Sequence, residues 1–150
     1  MKQSMMDRVE DKIDLEAFEE KYRDAKAYHK RAEQFLEEGQ YYSVVFNVAA
    51  VALEFYLVAL CELYGVEPGN HNYISLMNAV EEIVDVPKEL NEEITSLDLI
   101  FGICSIENYD HGGPELSDSD RILAICDRVR KLFDPARISS VRAYLPEDNT

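Results

Sequence analysis

Residues 41–64 read YYSVVFNVAAVALEFYLVALCELY, and this stretch decides the fold. It is apolar nearly all round a helical wheel, which predicts a central helix with neighbours on several sides. Ala49, Ala50, Ala52 and Ala59 leave room for another helix to approach closely. The most apolar part, Val44 to Cys61, is interrupted by Asn47 and Glu54 and is too short and too polar for a convincing membrane span. Gly65 and the run Glu67-Pro68-Gly69-Asn70 end the helix. A lone carboxylate in such a helix is costly, so Glu54 needs a polar crevice or a buried partner. Arg121, Arg128 and Arg130 are the available cations downstream. Asn47 lies two helical turns before Glu54 on nearly the same face, so a polar seam inside the bundle is expected.

Outward from this helix the periodicity stays helical. Leu15, Phe18, Tyr22, Ala25, His29, Ala32 and Leu36 recur at steps of three and four, which draws one stripe along a helix from about Asp14 to Glu38. Gly39 is a natural C-terminal stop, and the short link to Tyr41 predicts an antiparallel hairpin. A shorter third helix is expected over about 72–84, with Leu76, Met77, Val80 and Ile83 inward. Pro87 suits the first position of a fourth helix reaching Ile106, with Leu90, Ile94, Leu97, Phe101 and Cys104 on one face. Gly112-Gly113-Pro114 marks a loop. Ser117 or Asp118 is expected to cap a fifth helix whose apolar face is Ile122, Ile125, Cys126, Val129, Leu132 and Phe133. Pro135 is expected to stop it, with a short turn at Val141 to Leu145. The reading is a single all-α domain: an N-terminal tail (1–13), an antiparallel bundle of about five helices (14–134) and a C-terminal extension (135–150).

The 150 residues carry 15 Lys+Arg against 30 Asp+Glu, a formal charge of -15. That excludes holding nucleic acid mainly by phosphate neutralisation, and docking on anionic lipid. The excess is concentrated in residues 39–106, where Lys88 is the sole cation against ten acids. The third and fourth helices therefore expose acidic faces, or form an acidic docking surface for a basic partner. Cys61, Cys104 and Cys126 are far apart, which fits buried, reduced thiols in a cytoplasmic protein. The N-terminus has no apolar signal region.

His29 lies on the first helix's stripe and is expected at the core or at an interface edge. His71 precedes the third helix, where a backbone hydrogen bond is expected. His111, in the Asn108-Tyr109-Asp110-His111-Gly-Gly loop, alone has a catalytic look. No two histidines stand at metal-ligand spacing, and no Gly-rich phosphate loop occurs, so neither a metal nor a cofactor is expected. Ligand-binding candidates are Asn47, Glu54, Asn108, Tyr109, Asp110 and His111.

Four segments in order carry a resemblance. They are Ala32-Glu33-Gln34-Phe35-Leu36 with Gly39 and Tyr41-Tyr42; Ala49, Ala52 and Glu54 with Leu57, Ala59 and Leu60; His71 ahead of Ile74 and Leu76; and Asn108-Tyr109-Asp110 before an acidic helix start. In these the chain resembles the HEPN superfamily (higher eukaryote and prokaryote nucleotide-binding domains) over about residues 15–134. The resemblance implies an antiparallel helical bundle with two long leading helices. Many active members are metal-independent ribonucleases, in which an Arg holds the phosphate and a His a few residues on transfers a proton. Counted back from His111, that Arg would stand at 104, 105 or 106, where this chain has Cys104, Ser105 and Ile106. The resemblance therefore implies a non-catalytic member, homodimeric, with a nucleotidyltransferase as a protein partner in a toxin–antitoxin-like pair. The alternatives are a ribonuclease rebuilt around His111 with Arg121 or Arg128, and a small-ligand or nucleotide module using Asn47 and Glu54.

Overall fold

In the computed structural model, residues 13–106 and 115–144 are described, with side chains over 13–98 and 115–143. Six α-helices and no strand occur among them: α1 (Leu15–Glu37), α2 (Tyr42–Leu63), α3 (Tyr73–Glu81), α4 (Lys88–Ile106), α5 (Leu116–Arg130) and α6 (Pro135–Tyr144).

The ends of the leading hairpin follow from local chemistry. The Asp14 carboxylate accepts from the Ala17 N–H at 3.0 Å and caps α1. At the other end Gly39 has φ +81°. Its N–H donates to the Leu36 carbonyl, and that of Gln40 donates to Phe35. This paired closure needs a left-handed residue, which glycine supplies without a Cβ clash. Gly65, at φ +71°, ends α2 in the same way, with Val66 N–H reaching the Cys61 carbonyl.

Thirteen residues of α2 are buried, and α1, α3, α5 and α6 all pack on it. The neighbours also bond to its carbonyls. Cys126 Sγ of α5 lies 3.5 Å from the Ala49 oxygen, and the Tyr73 hydroxyl of α3 donates to Ala50 at 2.8 Å. Arg137 of α6 donates to Leu63 at 3.2 Å. The alanines permit the first two contacts, as their spacing predicts. By length and composition α2 does suffice to cross a membrane, contrary to the expectation, but most of its apolar window is buried inside the bundle.

Ser119 of α5 sits beside Tyr42 and Cys126 beside Ala49, so α5 runs parallel to α2. Arg121 contacts Ser96 and Arg128 contacts Glu93, so α4 is antiparallel to α5. The long helices α1, α2, α4 and α5 thus alternate in direction. Phe18, Tyr22, Tyr56 and Phe133 form an aromatic cluster joining α1, α2 and the turn after α5, with Tyr22 and Phe133 stacked at 4.4 Å between centroids.

Three expectations at the C-terminal side change. Helix α5 begins at Leu116, one residue before Ser117, and Asp118 acts from inside its first turn by accepting from the Glu115 N–H at 2.9 Å. Helix α5 ends at Arg130, before Pro135 is reached, so Leu132 and Phe133 lie in the turn beyond it and not on its face, and Pro135 opens a ten-residue helix where only a short turn is expected. Proline suits a first helical position because its missing N–H has no partner there anyway. The Asp134 carboxylate accepts from the Ala136 N–H at 3.0 Å and completes the start of α6.

Candidate functional site

Glu54 lies on the α2 face that meets α3. Its carboxylate is 3.2 Å from Nδ1 of His71, in the loop before α3. His71 is thus a side-chain partner of Glu54, where a backbone bond is expected. The arginines proposed for Glu54 are used elsewhere: Arg121 and Arg128 contact Glu93, and Arg130 contacts Asp127. The seam of Asn47 and Glu54 does not lie inside the bundle either. Asn47 is exposed and Glu54 half-buried, and both line the rim of an open crevice of about 380 Å³. Ala50, Val51, His71, Asn72, Tyr73 and Asp98 complete its lining.

The crevice wall is built by the start of α3. The Asp98 carboxylate of α4 accepts from Tyr73 N–H at 3.0 Å and from Ile74 N–H at 2.9 Å. Asn72 accepts from Ser75 N–H at 2.8 Å. Three of the unpaired donors at this helix end are therefore satisfied by two side chains. The Tyr73 phenol, buried and bonded to the Ala50 carbonyl, is held well above its ordinary pKa by desolvation, with Cys126, Glu54 and Asp98 adding to the shift. It does not act as an acid near neutrality.

This arrangement offers one imidazole beside one carboxylate, two amides (Asn47, and Asn72 at the cap of α3) and a second carboxylate already occupied by backbone donors. Such a pair moves a proton or binds a donor-bearing ligand. Its described lining contains no Lys or Arg. An anionic ligand would face Glu54 and Asp98 without a counter-charge.

Asn108, Tyr109, Asp110 and His111 lie outside the described residues, so the crevice shows the company of Asn47 and Glu54 alone among the six candidates. Sequence reasoning missed Asn72, Tyr73 and Asp98 as site residues. The Asn72 cap carries a sequence signal, an Asn directly before the apolar run of α3. Asp98 carries none, because acids are abundant throughout the chain.

His29 is buried, as its place on the stripe predicts. Its Nδ1 lies 2.9 Å from the Tyr56 hydroxyl. Desolvation lowers its pKa, with Arg130 acting in the same sense, while Glu33 and Asp127 oppose the shift. Cys61 and Cys126 are free and buried, and burial pushes the Cys61 thiol up to about 12. The side chain of Cys104 lies outside the described ones.

A family model described as the HEPN domain matches residues 18–140, most of the described bundle and the first half of α6. Neither the curated proteins nor the solved structures compared with the chain yield a match.

Proposed function

Since the chain belongs to the HEPN family, we propose that it is a non-catalytic, cytoplasmic interaction module that forms a homodimer and engages a nucleotidyltransferase in a toxin–antitoxin-like pair. The observation that carries this reading is the absence of Lys and Arg among the described residues lining the crevice. Phosphodiester cleavage builds negative charge in its transition state, and a ribonuclease needs a positive group there. The sequence holds no Lys or Arg between Lys88 and Arg121, and Arg121 is engaged with Glu93 and Ser96.

Tyr41, Tyr42 and Leu116 offer an association surface. Tyr41 is 81% exposed, and Tyr42 and Leu116 are also exposed large hydrophobic residues. The Ser119–Tyr42 contact brings the starts of α2 and α5 together, within a turn of Leu116. Aromatic anchors of this kind concentrate binding energy in interfaces. The proposal expects a dimer by light scattering at micromolar concentration, and a Tyr41→Ser/Leu116→Ser variant that dissociates more readily. It also expects retention of a nucleotidyltransferase on the immobilised protein. A strict monomer at high concentration that retains no such partner refutes the reading. Purified protein is expected to leave RNA intact; cleavage abolished by His111→Ala would establish the ribonuclease alternative instead.

The crevice favours a second reading, a small-ligand module using Asn47 and Glu54 with His71. Its acidic lining suits a ligand with hydrogen-bond donors or an amine, not a phosphate. Titration with a nucleoside, read by the His71 ring resonances, tests it; no shift up to millimolar concentration removes it.

A further inference from the structure

His29, Glu33 and Asp127 meet on the face of the bundle where α1 packs against α5, away from the crevice. His29 and Glu33 stand at i and i+4 and so share one helix face. Asp127 comes from α5. Nε2 of His29 lies 3.5 Å from the Glu33 carboxylate and 3.4 Å from that of Asp127. All three donor atoms fall within 4.8 Å of one another. We propose that this triad is a binding site for one divalent zinc-class ion, with His29 Nε2, one Glu33 oxygen and one Asp127 oxygen as ligands.

Acidic pairs are common, so the histidine decides the matter. The His29 side chain is 4% exposed, and its Nε2 has no hydrogen-bond partner although it points at two carboxylates. A buried polar atom left unsatisfied is costly and calls for an explanation. A bound ion supplies one. Two ligand atoms held at about 2.1 Å by a tetrahedral ion stand about 3.4 Å apart, which matches both contacts and is long for a good hydrogen bond.

The second ring nitrogen agrees. Nδ1 of His29 faces the buried Tyr56 hydroxyl at 2.9 Å. Donation from Nδ1–H to that oxygen leaves the Nε2 lone pair free and fixes the ring, as metal-ligating histidines require. One imidazole with two carboxylates is a hard-to-borderline donor set, suited to zinc or manganese more than to copper(I). Glu33 and Asp127 are about half exposed, so solvent provides an entry path and a fourth ligand. Arg130 lies 3.6 Å from Asp127 and must yield part of that contact. The ion would tie α1 to α5 across a histidine anchored on α2. Histidine pair spacing does not reveal such a site, because it uses one histidine and ligands from two distant helices.

The test is calorimetric titration of the metal-stripped full-length protein with Zn2+ in the presence of excess Mg2+, with metal content measured after dialysis. One zinc per chain is expected, with a shift of the His29 ring resonances. The Glu33→Gln/Asp127→Asn variant changes only half-exposed side chains and should fold. Its affinity is expected to fall more than about tenfold, since loss of even an outer-shell partner lowers metal affinity about 10–100-fold. Tyr56→Phe, which removes the Nδ1 partner, is expected to weaken binding within that same range. His71→Ala, which removes the other histidine–carboxylate pair, should leave zinc affinity unchanged. Zinc bound equally well by the double variant, or no zinc taken up by the wild type over Mg2+, overturns the proposal.

Discussion

Replacing Asp98 by Ala tests how the crevice is held. Asp98 joins α4 to the start of α3 through two hydrogen bonds, at 3.0 Å to Tyr73 N–H and 2.9 Å to Ile74 N–H. A hydrogen bond to a charged group contributes about 1.5–3 kcal/mol, and a carboxylate at a helix N-terminus about 0.3–1 kcal/mol. The two effects overlap, because the backbone donors are themselves the positive end of the helix. One bond is part-buried and the other exposed, so water recovers some of the loss. The net cost is therefore about 2–3 kcal/mol. At about 2–4 °C per kcal/mol for a chain of this size, the melting temperature should fall roughly 4–12 °C. Asp98→Asn keeps one acceptor without charge and should lose about half as much. Urea unfolding should show a lower midpoint with an unchanged slope. Amide exchange at Tyr73 and Ile74 should speed up more than exchange in α2, because α3 loses its anchor before the core opens. Asp98→Ala within about 0.5 kcal/mol of the wild type, or uniform exchange acceleration across α2 and α3, would refute the assignment of Asp98 as the clamp on the crevice wall.

Arg137→Ala should destabilise the bundle by about 2–3 kcal/mol in urea unfolding, because the guanidinium bonds the Leu63 carbonyl and lies 4.6 Å from the Tyr64 ring centroid. Arg137→Lys should recover only part of this, since an ammonium lacks the planar fork. Glu62 has a raised pKa, first from burial and also from Asp14 and Glu20, against lowering by Lys21 and His71. The folded state then holds its proton more tightly than the unfolded state, so this group's contribution to stability falls as pH rises from the ordinary carboxyl value, 4.5, through the raised folded value. Glu62→Gln should raise the melting temperature at pH 7 and lose that advantage near pH 4; an equal effect at both pH values would contradict the burial cause. Native Cys61, with its thiol pushed up to about 12, and Cys126, raised further still by burial, should resist a disulfide reagent at pH 8 and react on unfolding. Rapid native labelling in a Cys104→Ser background would show that the core opens there.

The leading hairpin was legible because each of its signals is local. Asp14, the three-and-four stripe and Gly39 bound α1 to within a residue, and Gly65 does the same for α2. Helix α6 was missed because Pro135 carries two opposite meanings: it cannot continue α5, yet it fits the first position of a new helix. The Asp134 carboxylate decides between them by accepting from Ala136 N–H, and one acid in so acidic a chain does not stand out. The oddity of Glu54 was visible, but its partner was not. The turn after α2 carries His71 back along that helix, and no periodicity within a helix reports such a path. His29 was legible as a buried residue and illegible as a cluster, because Asp127 reaches it through packing of α5 on the hairpin.

The net charge gains meaning from where the cations go. Arg121 and Arg128 share Glu93, Arg130 meets Asp127, and Arg142 meets Glu19 at 2.6 Å. Arg137 is buried against α2. The positive side chains of α5 and α6 are thus largely engaged with the bundle itself. By contrast Glu81, Glu82, Asp85, Glu89 and Glu92 are exposed, with Lys88 the sole cation of that stretch and itself 3.9 Å from Glu92. An acidic face left by such pairing attracts cations and basic surfaces, and repels phosphate, over about one Debye length, roughly 8 Å at physiological salt. Screening on this scale keeps the two acidic regions of the bundle separate. The α3–α4 face would suit a basic protein partner of the proposed kind, whereas attraction of a divalent ion at the other site rests on Glu33 and Asp127 themselves. Association with a basic partner should weaken as salt rises to 0.5 M, whereas zinc held directly by His29 should respond far less, because coordination bonds are short-ranged and the histidine is sealed from solvent.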